Sequence, residues 1–419
     1  MLDFPLKRLK KGVCAPKGFV GGAVSCGIKD PASERLDLAL VFSNEPCTAA
    51  GAFTTNRVKA APVKVSQTHL RGGSLRAIVA NSGNANACTG VRGVNDAKAM
   101  AAGVAKPLGI RRTEVGVCST GVIGLPLPMD RIEPKLDGLA RGLARQGGHD
   151  IARAIMTSDT RPKELAVSFD LGGERVRIGA CAKGAGMISP NMATMLCFVT
   201  TDVAISAPNL RKAVLEAVEE SFNRITIDGD MSTNDTVLML ANGASGISPV
   251  RRNGKRCRQF RKVLRWLMLE LAKDLVRDGE RVTKFVTVKI KGGRTYQCAR
   301  KIAMAVCNSA LVKASWNGND PNWGRIIHAA GYSRTSIREE LTDILYDGKP
   351  ACVGGLVADT PMEELREIAA RPEFTVTINL HQGRAEYTMF ASDLSPEYID
   401  FNRSEYAYWK QAGARSQGR

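Results

Sequence analysis

Two hydrophobic rhythms alternate along the chain. Short apolar runs at 36–42, 77–80 and 115–118 predict strands, whereas 95–105, 134–144 and 150–156 carry apolar residues at helical spacing. Asn95 is placed to cap the first of these helices, and the third ends by delivering Thr157. Beyond residue 194 the pattern predicts a buried strand. A helix follows at about 207–220, with Ser206 as cap and Pro208 in its first turn, then strands at 225–228 and 236–241. The polar stretch 253–255 marks a boundary at about 250. After it come a long helix to about Arg277, a strand at 284–290, a helix at 299–309 and a mixed C-terminal part. This mixture predicts an α/β protein of layered sheets and helices with a smaller C-terminal α+β lobe.

Charge changes the picture only locally. The 59 basic and 41 acidic side chains leave +18, with a concentration at Arg251, Arg252, Lys255, Arg256, Arg258, Arg261 and Lys262. Phe260, Val263, Leu264, Leu267 and Leu271 follow at helical spacing, so the run reads as one solvated face of an amphipathic helix. No aromatic–basic interleaving points to nucleic acid; a raised local concentration of acidic substrates is an equally plain role. No run of about eighteen apolar residues predicts a membrane span, and the basic start lacks a signal-peptide core. Eleven cysteines without a Cys-x-x-Cys pair predict reduced thiols and a cytoplasmic setting. Four scattered histidines argue against a histidine metal site or a Ser-His-Asp triad, and Asp228, Asp230, Asn234 and Asp235 read as turn residues, not metal ligands.

Candidate chemistry sits in Lys183-Gly-Ala-Gly-Met-Ile-Ser-Pro-Asn-Met-Ala193-Thr194, a polar loop running into the apolar strand. Were the Ala193–Thr194 bond cut, Thr194 would carry a hydroxyl nucleophile and a free α-amine on one residue. The small Ala193 would leave its carbonyl approachable. An α-amine near pKa ~7.7–8.0 can serve as base at neutral pH.

This loop, with Gly51-Ala-Phe-Thr-Thr-Asn56, Ala80-Asn-Ser-Gly-Asn-Ala-Asn86, Ser119-Thr120-Gly121-Val-Ile-Gly124, Met156-Thr157-Ser-Asp159-Thr160, Ser221 to Asp235 and Asp320-Pro-Asn-Trp-Gly-Arg325, resembles the ornithine acetyltransferase family in order and across nearly the whole chain. The resemblance implies a layered α/β sandwich akin to the N-terminal-nucleophile hydrolases. It implies self-cleavage into chains 1–193 and 194–419, associated as a heterotetramer of two of each. The implied reaction moves acetyl from N2-acetylornithine to glutamate through an acetyl-Thr194 intermediate in arginine biosynthesis, with no cofactor and no metal. Whether acetyl-coenzyme A is also a donor stays open.

Residue by residue, the resemblance implies Thr194 as nucleophile, Thr120 and Gly121 as oxyanion donors, and Thr157, Lys183, Glu280 and Asn402 as substrate ligands. Trp323 reads as packing. The chain departs from the family at Arg281-Val282, usually Gly-Ala, and at Asn402-Arg-Ser-Glu-Tyr-Ala-Tyr-Trp409, which lacks the family's closing threonine. Two further readings of the scaffold remain: a self-cleaving amidase or aminopeptidase with water as acceptor, and a non-catalytic basic binding protein.

Overall fold

The computed structural model of the chain describes residues 4–189 and 195–403. They belong to two compact units, Met1–Asn223 with Asp230–Leu275, and Arg224–Gly229 with Val276–Arg419.

The first unit contains two sheets. One has four strands in the order Phe19–Val24, Leu38–Ser43, Ala77–Asn81, Val115–Ser119. The other has six, in the order Lys7–Leu9, Lys163–Asp170, Arg175–Lys183, Leu196–Thr201, Thr236–Ala241, Thr48–Phe53. Leu196–Thr201 runs parallel to Thr236–Ala241 and antiparallel to Arg175–Lys183. All six of its residues are buried. A central strand covered on both faces has no polar side to show, which is why its first four residues are uniformly rather than alternately apolar and Thr200 and Thr201 are buried with them.

A shared core joins the sheets: Val41 and Ile78 of the smaller, Phe198 and Leu238 of the larger, and Ile151 of the helix Gly148–Ala154. The opposite face of the smaller sheet buries Leu40, Val79 and Val117 against the helices Gly90–Leu108 and Met129–Arg141. These are the predicted layers.

Both outer helices start earlier than predicted. Gly90, Val91 and Gly93 are poor helix formers, so the sequence signal begins only at Asn95, although the turn actually opens at Thr89. Gly93 is required there, because a Cβ would fall on the Thr89 and Asn86 side chains. Likewise Pro134 lies inside its helix, which starts at Met129. Ser206 does stand at the cap of Ala207–Glu219, but its side chain makes no capping bond.

The basic run opens the helix Lys255–Arg277, which buries Phe260, Val263, Leu264, Leu267 and Leu271. Part of its charge is met within the first unit. Arg261 pairs with Glu216, and Arg265 with Glu220 at 2.7 Å. These are partly exposed pairs of modest worth, and they make this stretch an ordinary amphipathic helix packed beside another.

The second unit is a seven-stranded sheet in the order Ile225–Thr226, Ala385–Ser392, Phe285–Gly293, Glu373–Asn379, Asp343–Tyr346, Lys349–Val353, Leu356–Val357. Its core gathers Val286, Val288, Val376 and Met389 with Ile302, Trp316 and Ile326 from three helices, and Trp323 packs against that core. Among the described residues no helix is long and apolar enough to cross a membrane. None of them form a group of three metal-ligand side chains.

Candidate active site

Strand pairing organises the first cluster. Lys183 ends the strand Arg175–Lys183 and sits opposite Leu196, two residues beyond Thr194. Ala193 and Thr194 themselves lie outside the described residues, as does the chain after Arg403. The Lys183 side chain is 1% exposed, and its Nζ donates to Thr120 Oγ1 at 3.0 Å and to Thr157 Oγ1 at 2.6 Å. Three residues drawn from positions 120, 157 and 183 are therefore hydrogen-bonded partners in a buried space.

Each hydroxyl is placed by its own element. Thr120 leaves the strand Val115–Ser119, its N–H donating to Asn81 O at 3.0 Å. Thr157 follows the helix Gly148–Ala154, and its N–H donates to Asp159 Oδ2 at 3.0 Å. The Arg35 guanidinium holds the same turn by donating to the carbonyls of Met156 and Thr157 at 2.6 and 3.2 Å.

Electrostatics follow from the next shell of contacts. Asp159 accepts from Lys163 Nζ at 2.6 Å and from the Gly184 N–H at 2.8 Å. Burial alone would raise its carboxyl, but Lys183, Lys163 and the Gly184 amide outweigh it and bring the pKa down to about 2. Two buried ammonium groups thus share one buried carboxylate. Positive charge held in a space this dry favours a carbonyl oxygen that becomes negative.

Gly121 could be nothing else. Its φ is +134°, and a Cβ there would fall on the Gly83–Asn84 backbone. Its N–H makes no hydrogen bond among the described residues, which leaves a donor beside the Thr120 hydroxyl. The turn is held rigid by buried asparagines. Asn81 accepts from Ser119 Oγ at 2.6 Å, while Asn234 Nδ2 donates to Ala85 O at 2.6 Å and Ser119 O at 2.8 Å. The sequence blocks at 80–86 and 232–235 are this scaffold.

Asp235 adds a group that sequence reasoning passed over as a turn residue. It opens no turn: it is fully buried, and its Oδ1 accepts the Met195 N–H at 2.8 Å, one peptide beyond Thr194. Thr236 N–H in turn donates to Met195 O at 3.0 Å. Burial pushes the Asp235 carboxyl well above the usual range, against the opposing pull of the Met195 amide and Lys183. A folded state that keeps this proton is stabilised below about pH 4 and loses that advantage as pH rises toward the raised pKa. Asp235→Asn mimics the neutral acid and removes the slope. Unfolding midpoints of the two proteins from about pH 4 to 8 should therefore shift in the variant's favour with rising pH, by at most about 1.36 kcal/mol per pH unit. A pH-independent difference would mean that the carboxyl is ionised.

The second unit brings Glu280 and Asn402 together: Asn402 Nδ2 donates to Glu280 Oε2 at 3.3 Å and to Tyr398 O at 2.9 Å. The departure at Arg281 is accommodated here. Arg281 adopts φ +55°, where a glycine sits without strain and another residue costs about 1 kcal/mol. Its guanidinium lies 5.2 Å from the Phe401 ring centroid, and its carbonyl accepts from Ser395 Oγ at 2.7 Å. Both contacts tie the helix Pro396–Arg403, which carries Asn402, to the Glu280 turn. Asp393 braces that turn further, accepting the N–H groups of Thr283 and Lys284 at 2.9 Å each.

The family model "ArgJ family" matches residues 21–407. The arginine biosynthesis bifunctional protein ArgJ of Symbiobacterium thermophilum is 48% identical over 397 residues, covering 94% of this chain and 98% of that protein. Its counterpart from Geobacter sulfurreducens is 46% identical, covering 92% and 98%. Among solved structures, the ornithine acetyltransferase of Mycobacterium tuberculosis complexed with ornithine is 43% identical over 44% of this chain and 98% of that one, with a TM-score of 0.41. With a family model matched over residues 21–407 and two relatives of 48% and 46% identity covering more than nine-tenths of it, the chain belongs to the ArgJ family and is an acyltransferase of arginine biosynthesis.

Proposed function

We propose that this chain is a self-processing glutamate N-acetyltransferase. It moves acetyl from N2-acetylornithine to glutamate through an ester on Thr194. The observation that carries this reading is the buried Lys183 ammonium hydrogen-bonded to both Thr120 and Thr157, on the strand paired with the one that Thr194 enters. In the processing step Thr194 Oγ attacks the Ala193 carbonyl, the acyl group shifts from nitrogen to oxygen, and water hydrolyses the ester. The freed α-amine then takes the hydroxyl proton as Oγ attacks the acetyl carbonyl, and returns it to the departing ornithine nitrogen. Glutamate's amine reverses the sequence. Thr120 Oγ1 and the Gly121 N–H suit the oxyanion of each tetrahedral intermediate.

Chains 1–193 and 194–419 would stay together after the cut, because the strand following residue 194 is buried at every position between two neighbours. A heterotetramer of two of each is the assembly that goes with this reading. Eleven free cysteines, nine of them buried, favour a reducing cytoplasmic setting. No cofactor takes part in this route. Acetyl-coenzyme A fits it as a second donor, since the acetyl-Thr194 ester keeps no memory of its source. Assaying glutamate acetylation with each donor separately decides that point.

Labelled acetyl should exchange between N-acetylornithine and glutamate; release of free acetate alone would instead mark an amidase. Glu280 supplies the carboxylate for a substrate ammonium. Glu280→Ala should raise KM about 10–100-fold and change kcat little, since a charge-assisted hydrogen bond is worth about 1.5–3 kcal/mol. A fall in kcat at unchanged KM would remove Glu280 from the binding role.

A further inference from the structure

A depression of about 410 Å³ opens in the first unit where the segment following Phe53 meets the helices Ala61–His69 and Gly90–Leu108. Arg57, Lys59 and Lys64 line it, and no acidic side chain does. None of these three cations has an ion pair or a side-chain hydrogen bond among the described residues. Three like charges around one hollow repel each other, and a polyvalent anion relieves that repulsion where a single carboxylate would meet only one of them.

Two further features narrow the ligand. Val58 and Val91, 53% and 78% exposed, stand at the same hollow and offer apolar surface next to the charge. Thr89 caps the long helix without a side-chain bond to it, and its hydroxyl donates to Asn86 Oδ1 at 2.7 Å. The first-turn amides beside Gly90 and Val91 therefore add to the positive field. The volume lies in the range of small-molecule sites.

We infer that this hollow binds a phosphorylated small molecule with an apolar body, its phosphates on Arg57, Lys59 and Lys64 and its body against Val58 and Val91. Guanidinium and ammonium groups together suit a phosphate's spread of oxygens. The hollow is joined to the turn at Thr120 and Gly121 by the segment 84–88. Cys88 lines it and directly follows Ala87, whose carbonyl accepts the Gly124 N–H at 2.9 Å, while the Ala85 N–H donates to Val122 O at 2.9 Å. The ligand is either the nucleotide tail of an acetyl thioester or a free phosphorylated metabolite. Binding itself is independent of the acetyl-transfer reading; only the thioester assignment rests on it.

Cys88 supplies a readout that needs no turnover. It is the exposed thiol of the eleven, and Cys298 in the second unit serves as internal reference. In the full-length protein, adenosine 3′,5′-bisphosphate should slow maleimide labelling of Cys88 about fivefold or more while leaving Cys298 unchanged. Adenosine should not. Protection should vanish near about 1 M sodium chloride, where charges are screened beyond about 3 Å. The triple variant R57A/K59A/K64A should bind the bisphosphate at least about tenfold more weakly by calorimetry, with no fall in melting point because the replaced side chains have no partners and repel one another.

If the variant also raises KM for acetyl-coenzyme A but not for N-acetylornithine, the ligand is the thioester's tail. If donor KM values stay put while the bisphosphate and inorganic phosphate still protect the wild type, it is a free phosphorylated molecule. Equal binding by wild type and variant, or no protection by any phosphorylated probe, overturns the inference whether or not acetyl transfer is found.

Discussion

Thr194→Ala should run on a denaturing gel as one band near 45 kDa, where the wild type should give two, and should transfer acetyl on the order of 10⁴–10⁶ times more slowly. Both effects have one origin. The hydroxyl that would shift the Ala193 acyl group is the hydroxyl that would carry acetyl, and the α-amine that would activate it exists only after the cut. An alanine removes the first and never exposes the second. Thr194→Ser separates the two roles from simple packing, since it keeps a hydroxyl; it should retain processing at a reduced rate. An alanine variant that still cleaves and turns over would show that another residue is the nucleophile.

Lys183→Met should cost about 10²–10³ in acetyl transfer, a loss of the size that follows removal of one preorganised donor. The methionine fills the same buried space but leaves Thr120 and Thr157 without their common donor. Stability should fall less than the 3–5 kcal/mol typical of breaking a buried pair, because Asp159 keeps Lys163 at 2.6 Å and the Gly184 N–H at 2.8 Å. The acid limb gives a second readout. Asp159 is depressed to about 2 in the folded protein, so its contribution is complete above the unfolded carboxylate range and disappears as pH falls from about 4 to about 2. Lys183 heads the groups that depress it. Without it the carboxyl rises, and acid unfolding followed by tryptophan fluorescence should begin at higher pH in the variant. An unchanged acid midpoint, with transfer intact, would reduce Lys183 to a packing residue.

Much of this arrangement was legible in the chain. Apolar runs announced the buried strands, and the helical spacing from Phe260 identified the long amphipathic helix, because burial on one face or on both leaves a direct imprint on residue type. Helix starts were less legible: Gly90, Gly93 and the interior Pro134 obey packing and local geometry that override propensity. Arg281 in a left-handed conformation gives no sign in the sequence of the Phe401 ring that accompanies it.

The order of motifs, the threonine at the mouth of an apolar strand and the membership of an acyltransferase family could be read from the letters alone, since residue types and spacings are all they require. Only folding could reveal that positions 120, 157 and 183 meet around one ammonium group, or that burial pushes the Asp235 carboxyl up while nearby ammonium groups hold that of Asp159 down. Those outcomes depend on burial and on charges brought near from distant parts of the chain. A carboxyl's state is set by its neighbours in space, and a linear string does not name them.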